Sequence, residues 1–311
     1  MFSKGQPIIS LCIPTNGITE WVFPVLDAVY NQKVDNDLFE IVLTDNGDNR
    51  EFKIKAYEYA AKHENLIYKE THAYMFDNQL EALKLASGEY LQFLNHRSLL
   101  LTGGLKFLID CIKDHEIDKP VIYFSNGALD WNNERNERRF DTFDGFVNGL
   151  GRYASWTSGV GIWKEKYDRL PKNLHYDQIS PHSSILFSDR HSRSYIINNC
   201  VFFEDIETDH SKKGKYDLFK AFGVEEFSIT LKLYLDGDIS AKTLKSVKKD
   251  YGRFLSELYF DFVIRKIPCS YNLNGFEAAM GIFFSKSQVR KGVVPVAMKR
   301  AIRKIIKIVN K

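Results

Sequence analysis

Short apolar runs alternate with stretches of helical period along the first third of the chain. Residues 8–14 (IISLCIP) are almost wholly apolar and end in Pro-Thr-Asn-Gly, the form of a buried parallel strand feeding a turn. Residues 21–31 follow with Val22, Leu26 and Val29 on one helical face. Residues 39–44 (FEIVLT) predict a second buried strand, closed by Asp45-Asn46-Gly47-Asp48. Residues 52–63 are helical, 65–69 a third strand, and 77–85 a helix leading into the apolar run 90–94. This order predicts right-handed βαβ units, and so an α/β fold with a mainly parallel sheet flanked by helices.

The rest of the first domain organises around residues 86–105 (ASGEYLQFLNHRSLLLTGGL). A helical run ends at Ser87-Gly88, a strand follows, and Asn95, His96 and Arg97 stand at its carboxyl end. Open α/β sheets hold ligands in the crevice outside the carboxyl ends of their strands, which makes these three residues candidates for chemistry. Further on, residues 120–126 (PVIYFSN), the glycine-rich 153–164 and the run 195–203 (YIINNCVFF) predict strands. Residues 130–141 (DWNNERNERRFD) predict a surface loop or flap whose Arg135, Arg138 and Arg139 form a solvated face.

The composition changes near Tyr216. Residues 1–215 predict the α/β domain and 216–311 a helical C-terminal region, broken near Asp236, Pro268 and Asn272. Within residues 293–311, Met298, Ile302, Ile305, Ile306 and Val309 share one helical face. Lys299, Arg300, Arg303, Lys304, Lys307 and Lys311 occupy the opposite arc. That is the pattern of a helix lying in a bilayer interface with its cations near anionic headgroups; a helix packed on the domain with a solvated basic face is the alternative.

Charge sharpens this division. The chain of 311 residues has 43 Lys and Arg against 40 Asp and Glu, yet residues 290–311 hold eight of the basic residues and no acid. Without those eight, 35 basic residues face 40 acidic ones, a net of −5, so the basic charge belongs to a tail and not to a nucleic-acid-binding surface. Four scattered cysteines in no C-x-x-C pattern suit a reduced, cytoplasmic protein. No leader and no membrane-spanning run is expected, which places the chain on the inner face of the cell membrane if the C-terminal helix engages it.

Several segments together resemble a family 2 glycosyltransferase of the GT-A fold. SLCIPTNG stands where that family has S-I-V-I-P-T-Y-N, VLTDNGD where it has V-V-D-D-G-S, and SGEYLQFL before its D-x-D. The D-x-D itself, which holds a divalent metal on the donor diphosphate, is replaced by Asn95-His96-Arg97. The resemblance implies that Pro14, Thr15, Asn16, Asp45, Asn78, Asn95 and His96 surround the nucleotide, Asp45 accepting a hydrogen bond from the base. It places Asp177 as the base that deprotonates the acceptor, a helix N-cap being the plain alternative. It also sets His210, with Lys213, on a loop over the diphosphate, though a solvated basic turn is the favoured reading. His175, Asp177 and His182 match no established metal-ligand spacing, and Asp236-Gly237-Asp238 reads as a turn with an N-cap.

The expected activity is inverting transfer of a sugar from a nucleotide-diphosphate donor, most commonly UDP in that family, to a hydroxyl of a lipid-linked or polymeric surface glycan. No cofactor is assigned. Asn95 and His96 offer ligands to Mn or Mg, whereas Arg97 favours direct neutralisation of the diphosphate and a metal-independent enzyme. The alternative is an inactive GT-A-like scaffold in a polysaccharide assembly complex. A nucleotidyltransferase is disfavoured, because no glycine-rich phosphate loop with a basic residue follows the first strand.

Overall fold

A computed structural model describes residues 5–131, 136–207 and 214–309, with side chains as far as residue 302. The chain forms two compact units, Met1–Ile206 and Glu207–Lys311.

In the first unit the alternation read from the sequence becomes β1 (Ile9–Thr15), α1 (Thr19–Tyr30), β2 (Phe39–Asp45), α2 (Arg50–Ala60), β3 (Leu66–Glu70), α3 (Asn78–Leu85) and β4 (Tyr90–Phe93). Then follow β5 (Ser98–Leu100), α4 (Gly104–Asp114), β6 (Val121–Phe124), β7 (Glu137–Phe140) and α5 (Phe143–Leu150). The unit ends with β8 (Gly161–Trp163), α6 (Lys164–Asp168), α7 (Pro181–Leu186), β9 (Tyr195–Asn198) and β10 (Phe203–Asp205). The main sheet runs β3-β2-β1-β4-β8, parallel throughout except for β8. A three-stranded sheet β6-β9-β7 and a two-stranded ribbon β5-β10 complete it.

β1 is continuous in hydrophobicity because it is covered on both faces. Ile9, Leu11, Cys12 and Ile13 are fully buried, and Ile9, Leu11 and Ile13 share a core with Val22, Val25 and Leu26 of α1. Each such apolar side chain contributes about 1.5–3 kcal/mol by leaving water. Ser87-Gly88 is fixed by a buried carboxylate. Glu40 Oε1 accepts from Ser10 Oγ at 2.6 Å and from the Ser87 amide at 2.6 Å, and Oε2 accepts from Ser87 Oγ at 2.9 Å. Gly88 lies so close to β1 that a Cβ there would stand 2.6 Å from Ser10 Oγ. Glycine is therefore the residue that lets the chain enter β4 beside β1.

Two expectations for the middle of the chain need correction. The polar stretch 130–141 is not wholly a loop: it contains β7, antiparallel to β9. β7 is an edge strand whose two central residues, Arg138 and Arg139, are exposed, so it lacks the apolar alternation that marks a strand in sequence. The run 195–203 is two strands. Asn198 Oδ1 accepts from the Cys200 amide at 3.0 Å, and Asn126 Oδ1 accepts from the Phe202 and Phe203 amides at 2.8 and 3.2 Å. These bonds break the strand and send β10 to pair with β5.

The second unit is helical. α8 (Leu218–Lys220) passes through a π-turn into α9 (Glu226–Leu235), followed by α10 (Ala241–Leu258), α11 (Phe276–Ala279) and α12 (Lys286–Val309). Asp236-Gly237-Asp238 is the expected turn, with Gly237 at φ +83° and Ser240 Oγ capping α10 through the Thr243 amide at 3.2 Å. α12 rests on α10. Val289 and Val296 are buried, and a Cβ on Gly292 would overlap Ser256 Oγ. Arg300 grips Asp261 with both Nη atoms, Nη2 at 2.6 Å from Oδ2. Val294, Met298 and Ile302 point away, exposed at 62%, 61% and 54%. Among the described residues no helix is long and apolar enough to cross a membrane.

Candidate active site

β1 lies between β2 and β4 in the main sheet, so its carboxyl end opens the crevice where open α/β sheets take ligands. Thr15 and Asp45 are register partners at the ends of β1 and β2. The turn after β1 and the turn after β2 support each other. The Asn46 amide donates to the Thr15 carbonyl at 3.1 Å, and Asn49 Nδ2 to the Gly17 carbonyl at 3.1 Å. Gly17 sits at φ +78°, and Gly47 lies where a Cβ would run into the Asn16 carbonyl. Asn46 Nδ2 reaches the Ala73 and Met75 carbonyls at 3.0 and 2.9 Å, adding a third loop to this wall. Asn16 is exposed on the wall and Pro14 is half-buried beside it.

Two of the residues expected to touch nucleotide, Asp45 and Asn78, bond the wall itself. Asp45 has no exposed surface. Its Oδ1 accepts from the Gly47 amide at 2.8 Å and its Oδ2 from Tyr68 Oη at 3.2 Å. Burial raises its carboxyl above the ordinary range, and the Gly47 and Tyr68 bonds oppose that. Asn78, also buried, spends its amide on both strand ends: Nδ2 donates to the Thr15 and Thr44 carbonyls at 3.0 and 2.8 Å, and Oδ1 accepts from Thr71 Oγ1 at 2.8 Å.

Past β4 the backbone continues beside β1, with the Leu94 amide on the Cys12 carbonyl at 2.9 Å. This brings His96 Nδ1 within 2.7 Å of Thr15 Oγ1, which also accepts from the Gly17 amide at 3.1 Å. Trp21 meets the imidazole edge-on at 5.1 Å. Burial, and then the charge of Arg97, push the His96 pKa down to about 3, so the ring is neutral at pH 7. Asn95 Oδ1 accepts from the Arg97 amide at 3.3 Å, and the Asn95 amide donates to Ser158 Oγ at 3.0 Å.

Arg97 is not the free cation the sequence suggests. Its Nη2 lies 3.3 Å from Asp205 Oδ2, while Asp205 Oδ1 accepts from Ser98 Oγ at 2.7 Å. The partner comes from β10, more than a hundred residues away, which is why local sequence did not reveal it. At 3.3 Å this is an ion pair looser than a short bidentate clamp, and a guanidinium carries five donors. A hard divalent cation finds a poor donor set here. The Asn95 carbonyl oxygen, Asp205 and His96 Nδ1 are already engaged, and a guanidinium sits among them.

Asp177 leads into α7. Its Oδ1 accepts from the Ile179 and Ser180 amides at 2.9 and 2.8 Å, while its own amide donates to Ser184 Oγ at 3.0 Å. Asp177 Oδ1 thus closes the turn ahead of α7, whose N-cap position is Ser180, so it is not the helix N-cap weighed from the sequence. α7 is anchored through His182, whose Nε2 donates to the Ser155 carbonyl at 3.0 Å, while its Nδ1 lies 3.1 Å from the Gln79 amide, which bonds the neutral ring by turning its NH2 toward Nδ1. Gln79 neighbours Asn78, so this contact ties the Asp177 segment to the strand-end clamp. His182 is buried and His175 exposed, and no metal-ligand trio forms around Asp177 among the described residues. His210 and Lys213 lie outside the described residues, as does Arg135.

Sequence reasoning missed Ser158, Gln92 and Asp205. Gln92 Nε2 donates to the Ser158 and Val160 carbonyls at 2.9 and 3.0 Å, locking the glycine-rich segment against β4. Gly159 and Gly161 permit this approach, since Cβ atoms there would overlap Tyr123 and Tyr90. The glycines were the readable signal, and their neighbours were not.

No protein family's sequence profile matches the chain, and no curated protein matches it in sequence. Its fold is similar to that of S. aureus TarS. Residues 1–349 of TarS in complex with UDP-GlcNAc give a TM-score of 0.58 at 16% identity, over 88% of this chain and 80% of that one. The same TarS segment with UDP gives 0.52 at 16% identity, over 88% and 75%. A longer TarS chain gives 0.51 at 15% identity, and the match spans 82% of this chain but 44% of that one. The chain therefore shares the fold of TarS: a mainly parallel sheet flanked by helices, with a helical C-terminal region.

Proposed function

We propose that the chain is an inverting glycosyltransferase. It moves a sugar from a nucleotide-diphosphate donor, a UDP-sugar, to a hydroxyl of a lipid-linked or polymeric surface glycan. The observation that carries this is the strand-end crevice. Thr15, exposed Asn16, neutral His96 and Arg97 gather where a GT-A fold takes its donor, and α7 is tied to the same strand ends through His182 and Gln79. TarS, whose fold the chain shares, is known with UDP-GlcNAc and with UDP in place.

In the proposed reaction the acceptor oxygen attacks the anomeric carbon and the bond from that carbon to the diphosphate oxygen breaks. The acceptor proton passes to Asp177 Oδ2, and the nucleoside diphosphate leaves with the electron pair. Arg97 meets the developing charge with donors not used on Asp205, as a bidentate phosphate clamp. The residual role of His96 is to orient Thr15 and to present its second ring nitrogen to the donor. The exposed apolar stripe of α12 and the basic tail support docking at a membrane surface, where lipid-linked acceptors reside.

A calorimetric or thermal-shift screen against UDP-GlcNAc, other UDP-sugars and GDP-mannose, followed by a transfer assay, tests the proposal. Asp177→Asn keeps an oxygen for the Ile179 and Ser180 amides but removes the base, so turnover falls ~10²–10⁴-fold with donor affinity retained. Full turnover in that variant removes Asp177 from the mechanism. The inactive-scaffold alternative draws on the loss of both D-x-D carboxylates; it requires donor binding with neither transfer nor release of free nucleoside diphosphate.

A further inference from the structure

A second set of reactive side chains lies in the first unit, outside the strand-end crevice. Cys111 on α4 and His115, its C-cap residue, are four residues apart and therefore lie on one side. His115 sits just past the helix end. Glu137, at the start of β7, faces them. The thiol sulfur, an imidazole nitrogen and a carboxylate oxygen all lie within 4.8 Å of one another. His115 Nε2 and Glu137 Oε2 are 3.8 Å apart, beyond hydrogen-bond reach. That spacing is close to what two ligands of one tetrahedral ion require, about 3.4–3.7 Å for bonds of about 2.0–2.3 Å.

The surroundings complete the pattern of a metal site. The other ring nitrogen of His115 faces Asp118 Oδ1 at 3.8 Å, and Asp118 is itself held by Arg139 Nη1 at 2.7 Å. A carboxylate behind the non-ligating nitrogen is how metal-bound imidazoles are commonly oriented. Asn198 Nδ2 donates to Glu137 Oε2 at 3.2 Å, steadying the carboxylate from β9. A cleft of about 500 Å³ opens over the three side chains, with Asp110, Asp114, Lys106 and Asn198 on its walls. Lys106 is paired with Asp110 at 2.5 Å, which leaves Asp114 and Glu137 to favour a cation. None of the donor-site residues lines this cleft.

We propose that Cys111, His115 and Glu137 form a zinc site that pins α4 to β7 and leaves a fourth coordination position open to the cleft. Mixed sulfur, nitrogen and oxygen ligands suit zinc, whereas Mg and Mn prefer oxygen alone. Three protein ligands with one open position is the arrangement of a zinc that holds water or an incoming group. In the metal-free protein the buried Cys111 thiol is protonated, so uptake of the ion displaces one proton and forms the sulfur–zinc bond.

The full chain, stripped with chelator and titrated with zinc alone, should bind one equivalent tightly and unfold at a higher temperature. Cobalt should give the near-ultraviolet thiolate charge-transfer band and the strong visible bands of a tetrahedral site. Cys111→Ser should abolish the charge-transfer band, while His115→Gln and Glu137→Gln should each weaken binding roughly 10-fold or more. Glu137→Gln changes a partly exposed strand position, so it tests the site even if Cys111→Ser folds poorly. Cys269→Ser, in the other unit, should leave affinity unchanged. Absence of saturable binding would overturn the assignment. So would cobalt spectra that survive Cys111→Ser, or zinc affinity that is lost in His96→Asn and kept in Glu137→Gln.

Discussion

His182 and His96 are both kept neutral by burial, and neutrality has a cost in acid. His182 is 4% exposed; burial pushes its pKa down to about 4 against the opposing pull of the Ser155 carbonyl and Asp177. The unfolded chain binds that proton below about 6.5 and the folded chain does not, so stability falls as pH drops from 6.5 toward 4. At pH 5 the loss from His182 alone is about 2 kcal/mol. Urea unfolding at pH 7 and pH 5 should therefore differ by about 2 kcal/mol less in His182→Gln than in the parent, whatever the variant's absolute stability. An unchanged difference would mean the imidazole is protonated in the folded protein. Arg97 raises a separate question, because Asp205 already takes part of its charge. If the remaining donors meet the diphosphate, Arg97→Ala lowers turnover ~10²–10³-fold, and chelator leaves the parent's activity intact. Activity lost to chelator and restored by manganese would place the charge balance on an ion.

At the scale of elements, α7 shows how one carboxylate serves structure and chemistry together. Asp177 Oδ1 satisfies two amides ahead of a short helix, and Ser184 Oγ accepts from the Asp177 amide. Asp177→Ala removes the acceptor and should cost about 1–3 kcal/mol in thermal unfolding, as leaving backbone amides without their partner does. Asp177→Asn should stay within about 0.5 kcal/mol of the parent while losing turnover. Equal destabilisation by both would show that the second oxygen is structural. The same contrast explains what the sequence could tell. β1, β2 and β4 were readable because each is a mostly apolar run buried along nearly its whole length, and the turns after β1 and β2 carried their glycines openly. β7 was not readable, since a charged edge strand has no apolar alternation. Asp205 was not readable as the partner of Arg97 either, because strand pairing between β5 and β10 sets that contact. The resemblance put the Asp45 and Asn78 side chains beside nucleotide, and only the three-dimensional bonds show that they bond the wall itself.

Over the whole molecule, charge and apolar surface separate along the chain. Removing the eight basic residues of 290–311 leaves the remainder net negative, and the same stretch exposes Val294, Met298 and Ile302 at four-residue spacing. Arg300 is withdrawn from solvent-facing duty by Asp261, and the buried Val289 and Val296 hold α12 on α10. The exposed stripe is therefore not the face that packs within the unit. Ile305, Ile306 and Val309 continue it in sequence, with Arg303, Lys304, Lys307 and Lys311 flanking it. Such a helix can lay its apolar face among acyl chains while its cations meet anionic headgroups, each worth about 1 kcal/mol near a charged surface. The full chain should co-sediment with vesicles of phosphatidylglycerol and phosphatidylcholine, release in high salt, and ignore vesicles of phosphatidylcholine alone. Met298→Glu with Ile302→Glu places two carboxylates on the exposed stripe without touching the α10 contact, so binding should fall at least 10-fold while thermal unfolding stays unchanged. If the double variant still binds in full, the cations act alone and the stripe faces something other than lipid. If neither protein binds, the acceptor reaches the crevice without help from α12.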